Sequence, residues 1–124
     1  GAPVADMMRY DKFDGGFGWA DNYGKSEDPD QFPFMIKYSP VHNVRVGEKY
    51  PATLIVTADE DDRTHPMHAF KLGASMQAGN TSANPILLLV ERKAGHSGAA
   101  SVSNSAEQSA DIWSFIFSQL GVGY

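Results

Sequence analysis

Ala52-Thr53-Leu54-Ile55-Val56-Thr57-Ala58-Asp59-Glu60-Asp61-Asp62-Arg63 decides how the chain is read. Its first seven residues are apolar or β-branched, with Pro51 before them and acidic residues after, as in a buried strand that opens into a polar loop. A second segment repeats the layout. Pro85-Ile86-Leu87-Leu88-Leu89-Val90-Glu91 is apolar without alternation, as expected of a strand in a sheet covered on both faces, and the loop Lys93-Ala94-Gly95-His96-Ser97-Gly98 follows it. Between the two, residues 66–78 have helical spacing through Met67, Phe70, Lys71 and Ala74, and Pro66 suits a first turn. Residues 105–120 read as a last helix with a Ser105-x-x-Gln108 capping box and Gly121 past its C-terminus. Strand, loop, helix, strand, loop, helix is the alternation of an α/β fold with a mostly parallel sheet flanked by helices.

In such sheets functional groups collect on loops beyond the carboxyl ends of the strands. Here those loops carry an acid and then a histidine, the order of the second and third members of an α/β-hydrolase triad. The chemistry needs both: a buried carboxylate holds the imidazole proton on one nitrogen, so that the other can accept from a serine hydroxyl. Gly95 lets the backbone turn sharply before His96. By composition alone, an acidic loop after a strand also serves as a solvated turn or helix cap, and a histidine in a Gly-rich loop as a surface residue.

The first half is less regular. The glycines of Asp14-Gly15-Gly16-Phe17-Gly18-Trp19 disfavour a helix. Residues 21–33 are rich in Asp, Pro and Gly and read as a surface loop. Residues 34–38 form a candidate short helix ended by Ser39-Pro40. Apart from His96 and Val102, residues 94–104 are Gly, Ala, Ser and Asn, a loop composition.

Length and composition set the bounds. The 124 residues, 42% hydrophobic and 20% charged, make one small globular domain. A net charge of −5, with ten Lys and Arg in no run longer than a pair, argues against nucleic acid. No segment reaches the roughly 18 apolar residues of a membrane span. The absence of cysteine excludes disulfides and thiolate metal sites, and leaves both cytoplasmic and periplasmic enzymes open. No cofactor is implied. The start at Gly1-Ala2-Pro3-Val4, without initiator Met or leader pattern, points to a piece of a longer protein.

Longer motifs narrow the reading. Tyr50-Pro51-Ala52 leading through Thr57-Ala58-Asp59-Glu60-Asp61-Asp62-Arg63 to Pro66-Met67-His68 resembles the acid loop of the prolyl oligopeptidase family of serine peptidases, and Lys93-Ala94-Gly95-His96 resembles its histidine loop. Trp19-x-x-x-Tyr23-Gly24 and Tyr38-Ser39-Pro40-Val41-His42-Asn43-Val44 match in the same order, so the similarity covers nearly the whole chain. Asp61-Asp62-Arg63 is closer to the prolyl branch than to oligopeptidase B, which has proline after the acid. The chain departs from the family at Thr64, where a small aliphatic residue is usual, and at Ser97, where glycine commonly follows the histidine.

The resemblance implies the C-terminal half of an α/β-hydrolase fold, with residues 1–124 as the C-terminal portion of a peptidase catalytic domain. It implies cleavage of short peptides after proline, with Asp61 as triad acid and His96 as general base. Arg63 would hydrogen-bond a peptide carbonyl, and Trp19 would stack on the proline ring beside Tyr23 and Val4. Its partners would be proline-containing oligopeptides, the remainder of the catalytic domain and a β-propeller that restricts access to short peptides. No Gly-x-Ser-x-Gly turn occurs in the sequence. Ser97 lacks that pattern, and a residue next to the base in extended chain points to the opposite face. The isolated chain is therefore expected to be inactive. Two other readings stand beside this one: a different α/β-hydrolase (an aminopeptidase or esterase), and a noncatalytic domain used for assembly.

Overall fold

The computed structural model describes residues 1–98 and 101–123, with Asp14 described by its backbone only. Two short helices, α1 (Ala20–Tyr23) and α2 (Phe32–Tyr38), precede the strand β1 (Thr53–Ala58). Helix α3 (Met67–Gly79), strand β2 (Ile86–Glu91) and helix α4 (Val102–Leu120) follow. β1 and β2 pair in parallel, from Thr53 opposite Ile86 to Ala58 opposite Glu91. A parallel pair needs a crossover, and α3 supplies it.

Parallel pairing in this register ends both strands at one level of the sheet. It also carries the pairing on into the loops: Asp59 N–H donates to Glu91 O at 2.9 Å and Glu60 N–H to Ala94 O at 3.1 Å. The acid loop and the histidine loop therefore lie side by side. On the other edge of β1, Ala2 N–H donates to Val56 O at 2.8 Å, so the N-terminal residues lie against that edge of the two-stranded sheet.

Helix α3 covers one face of the sheet closely, and α4 flanks the other face across a groove. Ile55, Thr57 and Ile86 are buried on the face that packs against α3, where Gly73 lies over Ile55 and Leu88. On the opposite face Leu87 remains 47% exposed. There Leu54, Leu87 and Leu89 line a groove of about 750 Å³ bounded by Phe115 of α4. Among the described residues no helix is long and apolar enough to cross a membrane.

A second core lies in the N-terminal half, where Met7, Tyr10 and Met35 are buried together and Val4, Met8 and Trp19 pack around them. A buried polar network joins this half to α3. Asp6 is fully buried, its carboxylate ion-pairs with Lys71, and its backbone N–H donates to His68 Nδ1 at 3.0 Å. Ser39 Oγ accepts from Met7 N–H at 3.0 Å and lies 2.8 Å from His42 Nδ1. Burial is the largest influence on Asp6 and pushes its carboxyl up. Lys71, with His42 and the Met8 N–H, outweighs it and holds the pKa below the usual carboxylate value. Burial pushes the His68 imidazole down, so it stays neutral and accepts.

Two segments differ from the sequence reading. Asp14–Trp19 is a 3₁₀ helix despite its glycines. Gly16 allows it, because a Cβ there would sit 1.8 Å from the Tyr10 carbonyl oxygen. α4 begins a turn before Ser105: Ser101, extended at φ −133°, is its cap and accepts from Asn104 N–H. Ser105 lies inside the first turn and donates its N–H to Ser101 O. The expected loop over residues 94–104 is thus cut short by a helix, and its positions 99–100 lie outside the described residues. At the other end Gly121 closes α4 at φ +67°, the left-handed cap that its sequence position implies.

Candidate active site

Asp61 is 3% exposed, at the turn that β1 feeds. Its Oδ1 accepts from the backbone N–H groups of Arg63 at 3.0 Å and Thr64 at 2.8 Å, a local turn that an Asp side chain makes readily. Those bonds fix the carboxylate before any partner arrives. His96 Nδ1 lies 3.1 Å from Oδ1 and 3.0 Å from Oδ2. An ionised carboxylate only accepts, so Nδ1 carries the proton and donates. Nε2 makes no hydrogen bond among the described residues and is left as an acceptor.

Both loops are held from outside the pair. Ala94 N–H donates to Asp59 Oδ1 at 3.4 Å, across the two loops. Gly98 N–H closes a turn onto Gly95 O at 3.0 Å, so that His96 and Ser97 occupy its corner. Ser97 is exposed, makes no side-chain hydrogen bond among the described residues, and lines one of the two clefts that His96 borders. Gly15 N–H donates to Asp62 O at 3.3 Å, and the Phe13 ring packs on His65 with centroids 4.9 Å apart. These contacts anchor the glycine-rich segment, and with it Trp19, to the acid loop.

The result is a cleft of about 420 Å³ lined by Val4, Trp19, Asn22, Tyr23, Arg63, Thr64 and His96. All four residues singled out from the sequence for peptide binding line it, together with the imidazole. Trp19 meets Tyr23 edge to face, with centroids 6.4 Å apart at 80°, and Tyr23 meets Tyr10 the same way at 5.8 Å. Aromatic edges fix one another's tilt, leaving rigid apolar surface towards the cleft. Val4 reaches it from the second core. Arg63 is exposed, and its guanidinium makes no ion pair or hydrogen bond among the described residues, so its five donors are unused there. Asn22 was not singled out from the sequence. It has no motif of its own, and only the turn of α1 brings it to this wall.

His96 also borders a cleft of about 310 Å³ on its other side, together with Gly1, Ala2, Ser97 and Gln108. The imidazole thus stands at the junction of two openings. The larger groove under α4 contains neither Asp61 nor His96. Among the described residues no group of three or more His, Asp or Glu side chains is placed to hold a metal ion.

Comparison with known proteins bears on the family and the fold. The sequence pattern of the prolyl oligopeptidase family matches residues 1–123. The chain is similar to the prolyl endopeptidase of Elizabethkingia meningoseptica, with 44% identity over 123 residues that cover 98% of this chain and 17% of that protein. It superimposes on a solved prolyl endopeptidase with a TM-score of 0.93 and 43% identity, covering 98% of this chain and 18% of that one. Prolyl oligopeptidase B from Galerina marginata, solved with a peptide substrate bound, gives a TM-score of 0.89 at 36% identity over 98% of this chain and 17% of its own. The chain therefore spans less than a fifth of the length of these relatives. The two parallel strands and their helices are part of an α/β-hydrolase fold, and the chain belongs to the prolyl oligopeptidase family.

Proposed function

We propose that these residues form the C-terminal portion of the catalytic domain of a serine peptidase that cleaves short peptides after proline, and that they supply the acid and base of its triad. The observation that carries this reading is the Asp61–His96 pair opening into the same cleft as Trp19. In the proposed cycle His96 Nε2 takes the proton from a serine hydroxyl as that oxygen attacks the peptide carbonyl. It then returns the proton to the leaving amine. Asp61 keeps the tautomer that makes Nε2 an acceptor and stabilises the imidazolium. Trp19, Tyr23 and Val4 hold the pyrrolidine ring, whose apolar face lies on the flat indole. Arg63 donates to a carbonyl of the bound peptide.

The serine is not contributed by a Gly-x-Ser-x-Gly turn of this sequence. The proposal places it, and a propeller domain that limits access to short peptides, in the remainder of the same enzyme. An aromatic ring pocket beside the imidazole favours the prolyl peptidase over an esterase, which has no use for a proline platform.

The experiment uses the full-length enzyme that contains this chain and two peptides that differ only in proline or alanine at the cleavage position. His96→Ala should abolish turnover of both. Trp19→Ala should lower kcat/KM for the proline peptide by about 1–3 kcal/mol and spare the alanine peptide more. Arg63→Ala should remove a charge-assisted bond of about 1.5–3 kcal/mol. Turnover that survives His96→Ala would end the triad assignment. Equal losses on both peptides with a lower melting temperature would make Trp19 a packing residue.

A further inference from the structure

Thr64 is 5% exposed and forms part of the cleft wall beside Trp19, Tyr23 and Val4. Its backbone is pinned, because its N–H donates to Asp61 Oδ1 at 2.8 Å. Its hydroxyl makes no hydrogen bond among the described residues, and it is not one of their fully sealed, unpartnered side-chain atoms. The surface Thr64 retains is therefore cleft surface. A valine would fill the same volume with no polar group. Asn22, also without a side-chain hydrogen bond among the described residues, lines the same cleft.

A partly exposed hydroxyl on a wall that a substrate ring would cover has a chemical consequence. When an unsubstituted pyrrolidine ring covers it, water is excluded and the hydroxyl loses its partner. A ring that carries its own hydroxyl restores the bond as either donor or acceptor, and the amide of Asn22 offers a second partner of either kind. Sites that hold a hydrogen-bonding group for a substrate hydroxyl discriminate against the analogue that lacks it, far more than apolar pockets discriminate by size.

We infer that Thr64 is a specificity-determining residue that adapts the cleft to hydroxylated proline, so that peptides with 4-hydroxyproline at the cleavage position are preferred substrates. This rests on the proline-pocket reading given above.

The test measures kcat/KM of the full-length enzyme on three matched fluorogenic peptides, with proline or either epimer of 4-hydroxyproline at the cleavage position. Thr64→Val keeps the shape and the backbone donor to Asp61 and removes the hydroxyl. It should lower the hydroxyproline-to-proline ratio for the better epimer by about 3–10-fold, the worth of one neutral hydrogen bond. Thr64→Ser keeps the hydroxyl and should keep the ratio, which guards against a variant that merely folds poorly. A ratio that Thr64→Val leaves within about two-fold of the parent overturns the inference, as does a fall in all three peptides together. If the parent enzyme cleaves an alanine peptide and none of these three, the proline pocket itself fails, and the two failures are distinguishable.

Discussion

Asp61→Asn separates two accounts of what the acid does. The structure gives the side chain three donors to satisfy: Arg63 N–H at 3.0 Å, Thr64 N–H at 2.8 Å and His96 Nδ1 at 3.0–3.1 Å. In the asparagine variant the side-chain oxygen can still accept from the two backbone groups. That choice turns the amide NH₂ towards His96. An NH₂ only donates, so Nδ1 must become the acceptor and the ring proton moves to Nε2. The imidazole then has no lone pair for a serine hydroxyl. A wrong tautomer of this kind costs about 10⁴-fold in kcat in serine proteases, or about 5.5 kcal/mol of barrier. Had the carboxylate served only as one more hydrogen-bond partner, the loss would be about 1–3 kcal/mol, or roughly 5–150-fold. Stability should move little, since the Asx-type turn survives. The assay is single-turnover cleavage of a proline peptide by the full-length enzyme, with the imidazole nitrogens of His96 observed by NMR in parallel. A loss below about 100-fold, with Nδ1 still protonated, would refute the tautomer argument.

Two further outcomes concern stability. Gly16→Ala forces a Cβ to within 1.8 Å of the Tyr10 carbonyl oxygen and should destabilise by about 1–3 kcal/mol, whereas a Cβ at Gly73 meets Ile55 Cδ1 at an ordinary 3.7 Å, so Gly73→Ala should be neutral or stabilise by about 0.5–1 kcal/mol. Calorimetric melting of the two variants checks both signs, and a stable Gly16→Ala protein would contradict the close approach. The pH dependence follows from the network around Asp6. His68 is pushed below its usual 6.5 by burial, against the pull of Asp6 and with help from His65 and Lys71, so the unfolded chain takes up a proton there that the folded chain resists. Stability should be full above about pH 6.5 and fall as pH drops through the lowered His68 value; a second loss should follow below about pH 3.8, where the depressed Asp6 carboxyl protonates. Melting temperatures at pH 7.5, 6.5 and 5.0 are the readout, and His68→Gln should flatten the first drop; an unchanged drop would show that another group causes it.

The sequence by itself determined the central α/β unit. β1, α3 and β2 match the expected segments to within one residue at each end, because an apolar run bounded by proline and acids, or a 3.6-residue period, is a local signal. It also determined that an acid and a histidine follow consecutive strands, and parallel pairing of those strands leaves little choice but to bring the two loops together. Local signals failed where a distant group intervened. The Asp14–Trp19 segment is helical because Gly16 can lie against Tyr10 O and Gly15 N–H can reach Asp62 O, neither of which its composition reports. The cap of α4 fell at Ser101 and not Ser105, since several serines in a row offer equivalent caps and the incoming backbone selects one. The cleft itself was a tertiary decision. Trp19, Thr64 and His96 share one wall only because the Asp6–Lys71–His68 network and the Gly15–Asp62 contact dock the N-terminal half on the sheet. Those contacts link residues tens of positions apart, and no period or motif encodes such a distance. A side chain's direction there depends on packing summed over the whole chain.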